Sequence, residues 1–205
     1  ANGWYGRAQR LLDQSAEPAA EEGYLMIRVA EDCLASGDCE QAFSAGQHAA
    51  DVGERFRDLD LVAFARHQQG RARLQQQRVP EGIGLLDETM VLVSAGTLSP
   101  IVTGLMYCSV IDNCQQVYAF GRACEWTAVL AAWCDEHPEM VAFSGICRVH
   151  RAEVLQLRGE WQDAIDEARR GFERARTVSS LAAGAAAYRL GELHRLRGEL
   201  ALAEG

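Results

Sequence analysis

The chain has 205 residues, 48% of them hydrophobic, with only four prolines and a formal net charge of −9. No run approaches the roughly 20 apolar residues of a membrane span, and no basic stretch followed by an apolar core marks a signal peptide. An acidic surface repels phosphate backbones, which excludes this segment as a direct nucleic-acid binder.

Taken in chain order, the sequence reads as helices throughout, because apolar residues recur at the helical period and never alternate as in a strand. Gly3-Trp4 reads as a turn, and 7–14 as the second helix of a pair whose first helix is absent. Helices follow at about 19–35 and 39–55, where Glu21 and Glu22 suit the first helix dipole. The next pair spans about 59–77 and 80–94, with Asp58 as a cap and Pro80 in a first turn. Ala95-Gly96-Thr97 marks a longer loop, after which Ser99 caps a helix starting at Pro100. A third pair is predicted at about 101–119 and 123–136, ending at His137-Pro138 because the residue before proline is pushed out of helical geometry. The stretch 144–175 forms the clearest pair, turning at Arg158-Gly159-Glu160. A last helix runs from about Ser180, capped by Ser179 or Ser180, to Arg197, and 200–205 begins another.

One spacing repeats. Ala152, Ala164 and Gly171 are 12 and then 7 apart around a turn, as are Ala30, Ala42 and Ala49, and Gly70, Gly82 and Thr89. Gly191 and Ala203 repeat the first interval, and Ala8 and Ser15 the second. Small residues at such positions let crossing helices approach closely. The copies are roughly 40 residues long, within the range of stacked helical pairs. In the third copy the spacing falls on Cys114, Trp126 and Trp133, two of them too large for a crossing. Ala123 or Ala128 with a shifted turn is the alternative.

The segment YRLGELHRLRGELALAEG, 188–205, resembles the tetratricopeptide repeat, with Leu-Gly in a first helix, a turn glycine and an alanine in the second helix; 152–168 resembles it nearly as well. The units are longer than the usual tetratricopeptide repeat. SPIVTGLMYCSVIDNC (99–114), ACEWTAVLAAWCDEHPEMV and VHRAEVLQLRGEW resemble the helical-repeat region of actinobacterial LuxR-type transcriptional regulators. The resemblance implies an all-α, right-handed α-solenoid of TPR-like antiparallel helix pairs, about four repeats plus terminal half-repeats. The whole of 1–205 is then one array, with repeats near 19–57, 58–97, 99–138, 140–177 and 179–205. Both ends read as interior pieces, and Ala1 stands where Met would, so a fragment of a longer protein is expected. Its exposed ends offer a route to homodimers.

The resemblance also implies a concave wall lined by the first helix of each pair. Aligned on the turns, it points to Tyr24, Ile27, Glu31 and Leu34, then Phe64, His67, Arg71 and Leu74, then Cys108, Ile111, Gln115 and Tyr118, then Val149, Glu153 and Gln156, and finally Tyr188, Glu192 and Arg195. The groove set is Tyr24, Glu31, His67, Arg71, Gln115, Tyr118, Glu153, Gln156, Tyr188, Glu192 and Arg195. Such a stripe suits a protein or peptide partner, or other domains of the same regulator, with a small effector molecule as the alternative.

Catalytic chemistry is not expected. GxxxxGK[ST], GxGxxG, HExxH and GxSxG are all missing, and no cofactor is implied. The histidines (48, 67, 137, 150, 194) are dispersed. Cys147 and His150 share a helix face, but two ligands do not make a zinc site, so no metal is expected. The seven cysteines contain no CxxC and read as small buried hydrophobes in a reducing cytoplasm. Arg169, Arg170, Arg174 and Arg176 gather on one helix with Glu167 and Glu173 interleaved, which reads as a solvated face.

Overall fold

The computed structural model describes residues 2–14 and 17–203; Ala1, Ser15 and the end of the chain at Gly205 lie outside them. Among the described residues there are eleven helices and no strand: α1 (Asn2–Gln14), α2 (Glu21–Ser36), α3 (Cys39–Phe56), α4 (Leu59–Gln75), α5 (Val79–Ser94), α6 (Pro100–Gln116), α7 (Phe120–Glu136), α8 (Val141–Leu157), α9 (Trp161–Ala175), α10 (Ser180–Leu196) and α11 (Leu200–Ala203). Their packing divides into two compact units, residues 1–106 and 107–205, the boundary falling within α6. In the first unit α2, α3, α4 and α5 pack in succession, and in the second α7 to α11 do so. The fold is an all-α array of consecutive helix pairs. First helices of neighbouring pairs also touch, α2 on α4 and α8 on α10.

The helix starts follow from local chemistry. Asp38 and Asp58 accept the backbone N–H of Gln41 and Leu61 at 3.1 and 3.0 Å, and Ser179 accepts that of Ala182 at 3.3 Å, each satisfying a donor orphaned at a helix start. Pro100 opens α6 as expected. Gly3-Trp4, predicted as a turn, lies inside α1. Its glycine is not followed by a breaker, and Trp4 reaches along the helix to put its ring 5.9 Å from the Arg7 guanidinium.

Each first helix ends in a residue with left-handed backbone: Gly37, Gln77, Tyr118, Gly159 and Gly198, at intervals of about 40 residues. From these five the crossing positions follow by counting. Seven residues back and five and twelve forward lie Ala30, Ala42 and Ala49, all fully buried, and likewise Ala152 and Ala164. In the third pair the same count gives Ile111, Ala123 and Leu130, each at most 1% exposed. Ala123, not Ala128, takes the crossing, and the register on Cys114, Trp126 and Trp133 is corrected by three residues. The reason is that a tyrosine occupies the left-handed turn, whereas the nearby Gly121 sits in the first turn of α7 with open space around it.

A non-glycine residue in left-handed geometry costs about 1–2 kcal/mol. Gln77 is exposed with φ 62°, so Gln77→Gly should raise the unfolding free energy by about 1 kcal/mol, measured by urea denaturation. A loss of stability would show that the Gln77 side chain contributes more than its backbone costs.

Candidate functional site

In the first unit the stripe residues from α2 and α4 separate into core and surface. Ile27, Leu34 and Leu74 are buried in the helix interfaces, and Phe64 packs on the cluster formed by Ile27, Ala49, Val52, Leu61 and Ala65. His67 is 3% exposed, and burial, helped by the Arg71 charge, pulls its imidazole down to about 3, so it stays neutral. Tyr24 spans the pairs and donates its hydroxyl to Oδ2 of Asp58 at 3.0 Å. Burial, with that bond, raises its pKa. Glu31 and Arg71 are joined through Gln68: Gln68 Nε2 donates to Glu31 Oε1 at 3.5 Å, and Arg71 Nη1 donates to Gln68 Oε1 at 3.0 Å.

The second unit holds the denser arrangement. Glu153 on α8 is its centre. Gln115 Nε2, from α6, donates to its Oε2 at 2.8 Å, and Arg189 Nη2, from α10, donates to its Oε1 at 2.5 Å. Arg189 also reaches Gln156 Oε1 with Nη1 at 2.9 Å. His150, one turn before Glu153 and 2% exposed, places Nδ1 3.3 Å from Glu153 Oε2 and 3.8 Å from Asp112 Oδ1; the Cys108 thiol hydrogen-bonds to the same imidazole. Burial alone would discharge His150, but the bonds to Cys108 and Glu153 and the nearby negative charge outweigh it and hold the imidazole at about 10. Burial likewise works against the Glu153 carboxylate, and His150, Gln115 and Arg189 overcome it, holding it at about 2. The pair is therefore imidazolium and carboxylate over the ordinary pH range. Asp112, half in solvent, has a raised pKa through burial, opposed by the His150 charge and reinforced by Glu153.

Three of the predicted residues, Gln115, Glu153 and Gln156, are thus brought into one network. Three more, Tyr188, Glu192 and Arg195, line a shallow groove of about 410 Å³ with Gly191, Leu200 and Ala203, Arg195 Nη2 pairing with Glu192 at 3.0 Å. Val149 and Ile111 are core. Tyr118 is not on the stripe: it is the turn residue, 79% exposed, with its ring edge-on to Phe120 at 5.8 Å. Counting from that turn puts Asp112 where the sequence alignment had put Gln115, and Gln115 where it had put Tyr118. Sequence reasoning missed Asp112, His150 and Arg189. The signal for Asp112 is the acidic Glu153 and Glu192 six residues before the turn in the next two pairs; Arg189 and His150 share the position nine before it.

All seven cysteines are free thiols, Cys114, Cys134 and Cys147 buried. Cys134 hydrogen-bonds to Cys147 on α8, and that bond with burial pushes its thiol up and keeps it protonated. Among the described residues no group of three or more His, Cys, Asp or Glu side chains is arranged to hold a metal ion, and no helix is long and apolar enough to cross a membrane.

No protein-family model matches the chain, and no curated protein sequence matches it. Among solved structures, the crystal structure of BtubC (BKLC) from P. vanneervenii is similar in fold, with a TM-score of 0.75 over 98% of this chain and 82% of that one, at 14% sequence identity.

Proposed function

We propose that the chain is a non-catalytic protein-interaction module, the TPR-like arm of a bacterial, cytoplasmic transcriptional regulator, which binds a protein or peptide along its first-helix stripe. The observation that carries this reading is the network on Glu153. Side chains from α6, α8 and α10, three, six and nine residues before their turns, are fastened to one another, leaving Asp112, Tyr188 and Arg195 presented to solvent. A pre-organised polar floor with an aromatic and both signs of charge suits a peptide carrying an apolar anchor and a basic group. The regulator assignment rests on the likeness of 99–114 and its companion segments to LuxR-type repeats. DNA binding then belongs to other domains, and no nucleic acid or membrane contact is assigned to this segment.

A displayed random-peptide library selected on the protein tests it. Recovered peptides should weaken about tenfold or more on Asp112→Asn and on Tyr188→Ala, both exposed; because Asp112 also lies 3.8 Å from His150, each variant should keep the parent's melting curve. Peptides indifferent to both substitutions would remove the stripe as the site. A second reading, an effector sensor, is favoured by the groove lined by Tyr188, Glu192 and Arg195. Its mark would be a small molecule that raises the melting temperature saturably.

A further inference from the structure

Away from the stripe, the second unit carries a concentration of arginine that its sequence conceals. Arg169, Arg170, Glu173 and Arg174 on α9 and Arg148 on α8 line an open groove of about 520 Å³. Glu167 looks in sequence like a surface charge that balances them. Its side chain is instead 8% exposed, drawn under the arginines, with Arg148 Nη1 at 2.9 Å, Arg170 Nη1 at 3.3 Å and Arg151 Nη2 at 3.9 Å. One carboxylate therefore sits beneath three guanidinium groups, each with five N–H donors against its roughly four acceptor positions. Arg169 and Arg170 remain 56% and 65% exposed. Their pairs with Asp166 and Glu167 are made with neighbours one turn away, and such surface pairs exchange readily for a better-placed acceptor. The face is thus positive in a chain whose net charge is −9.

We propose that this α8–α9 face docks an acidic segment of a partner protein, whose carboxylates are taken by Arg148, Arg169, Arg170 and Arg174. Guanidinium groups bind carboxylates in paired, parallel hydrogen bonds. The extent of the patch argues for a short segment. Residues 169–174 span roughly 8 Å of helix axis, which suits a short acidic segment better than the extended row of phosphates along a nucleic-acid backbone.

The test is fluorescence anisotropy with a labelled octaglutamate peptide, at about 20 mM and about 200 mM salt. Binding is expected at low salt, weakened at high salt, and reduced about tenfold or more in an Arg169→Glu, Arg170→Glu variant, with Arg195→Glu on the stripe as a control that keeps it. Arg169→Gln, Arg170→Gln removes the charge without reversing it and should show the same loss with an unchanged melting curve. No binding at low salt, equal loss in the stripe control, or tighter binding of a single-stranded oligonucleotide of the same length would each overturn the proposal.

Discussion

Glu153→Ala should lower the unfolding free energy by about 3–5 kcal/mol, the usual cost of removing one partner from a buried ion pair. The carboxylate is 15% exposed and is the common acceptor for His150, Gln115 and Arg189. Without it an imidazolium and a guanidinium, one 2% and one 20% exposed, are left without their shared counter-charge. The same network sets a pH profile. His150 is held at about 10 against an ordinary 6.5, so its contribution is fully present below pH 6.5 and is lost as pH rises through 10. Glu153 is held at about 2 against 4.5, so its contribution is present above pH 4.5 and is lost as pH falls through 2. Stability from this pair should therefore be greatest between about pH 4.5 and 6.5. Thermal unfolding of the parent and of His150→Gln, compared from pH 6 to 10, checks the sign: the parent should lose stability faster with rising pH. Parallel profiles would show that His150 is neutral in the fold.

Gly82→Leu should destabilise the first unit by about 3 kcal/mol or prevent its folding, at the upper end of overpacking effects. A Cβ on Gly82 would stand 2.6 Å from Leu74 Cδ2 and 2.9 Å from the carbonyl oxygen of Gly70. The leucine can rotate away, but the carbonyl belongs to the α4 backbone, so α4 and α5 must separate. Gly84, two residues along α5, has nothing within 4 Å. There Ala should stabilise by about 0.8–1 kcal/mol through helix propensity alone. Chemical denaturation of the two variants distinguishes crossing from non-crossing glycines; similar behaviour at both sites would remove the close approach as the reason for Gly82.

Much of the local structure was legible because it is built from local causes. The 3.6-residue period, the caps at Asp58 and Ser179, Pro100 at a helix start and the 12-and-7 spacing of small residues all act within a few turns of chain, and the helices lie where they point. The third pair was misread by three residues because glycine is only the commonest occupant of a left-handed turn. Tyr118 takes that geometry without being a glycine, and Ala123 and Leu130, five and twelve residues on, are buried as the count from that turn requires. The candidate site was legible in outline, since Gln115, Glu153 and Gln156 follow from repeat position. Its strength was not.

The sequence by itself determined that the chain is helical, most of its helix boundaries, and the crossing residues outside the third pair, because propensity, capping and periodicity are properties of neighbours along the chain. Only the tertiary structure decided which charges are buried and whom they meet. His150 and Glu153 look in sequence like an ordinary pair one turn apart, and Glu167 like one surface acid among several. The fate of each depends on an arginine, Arg189 or Arg148, delivered by a different helix. Burial raises the worth of such pairings well above their value in water, and no spacing along the chain records it.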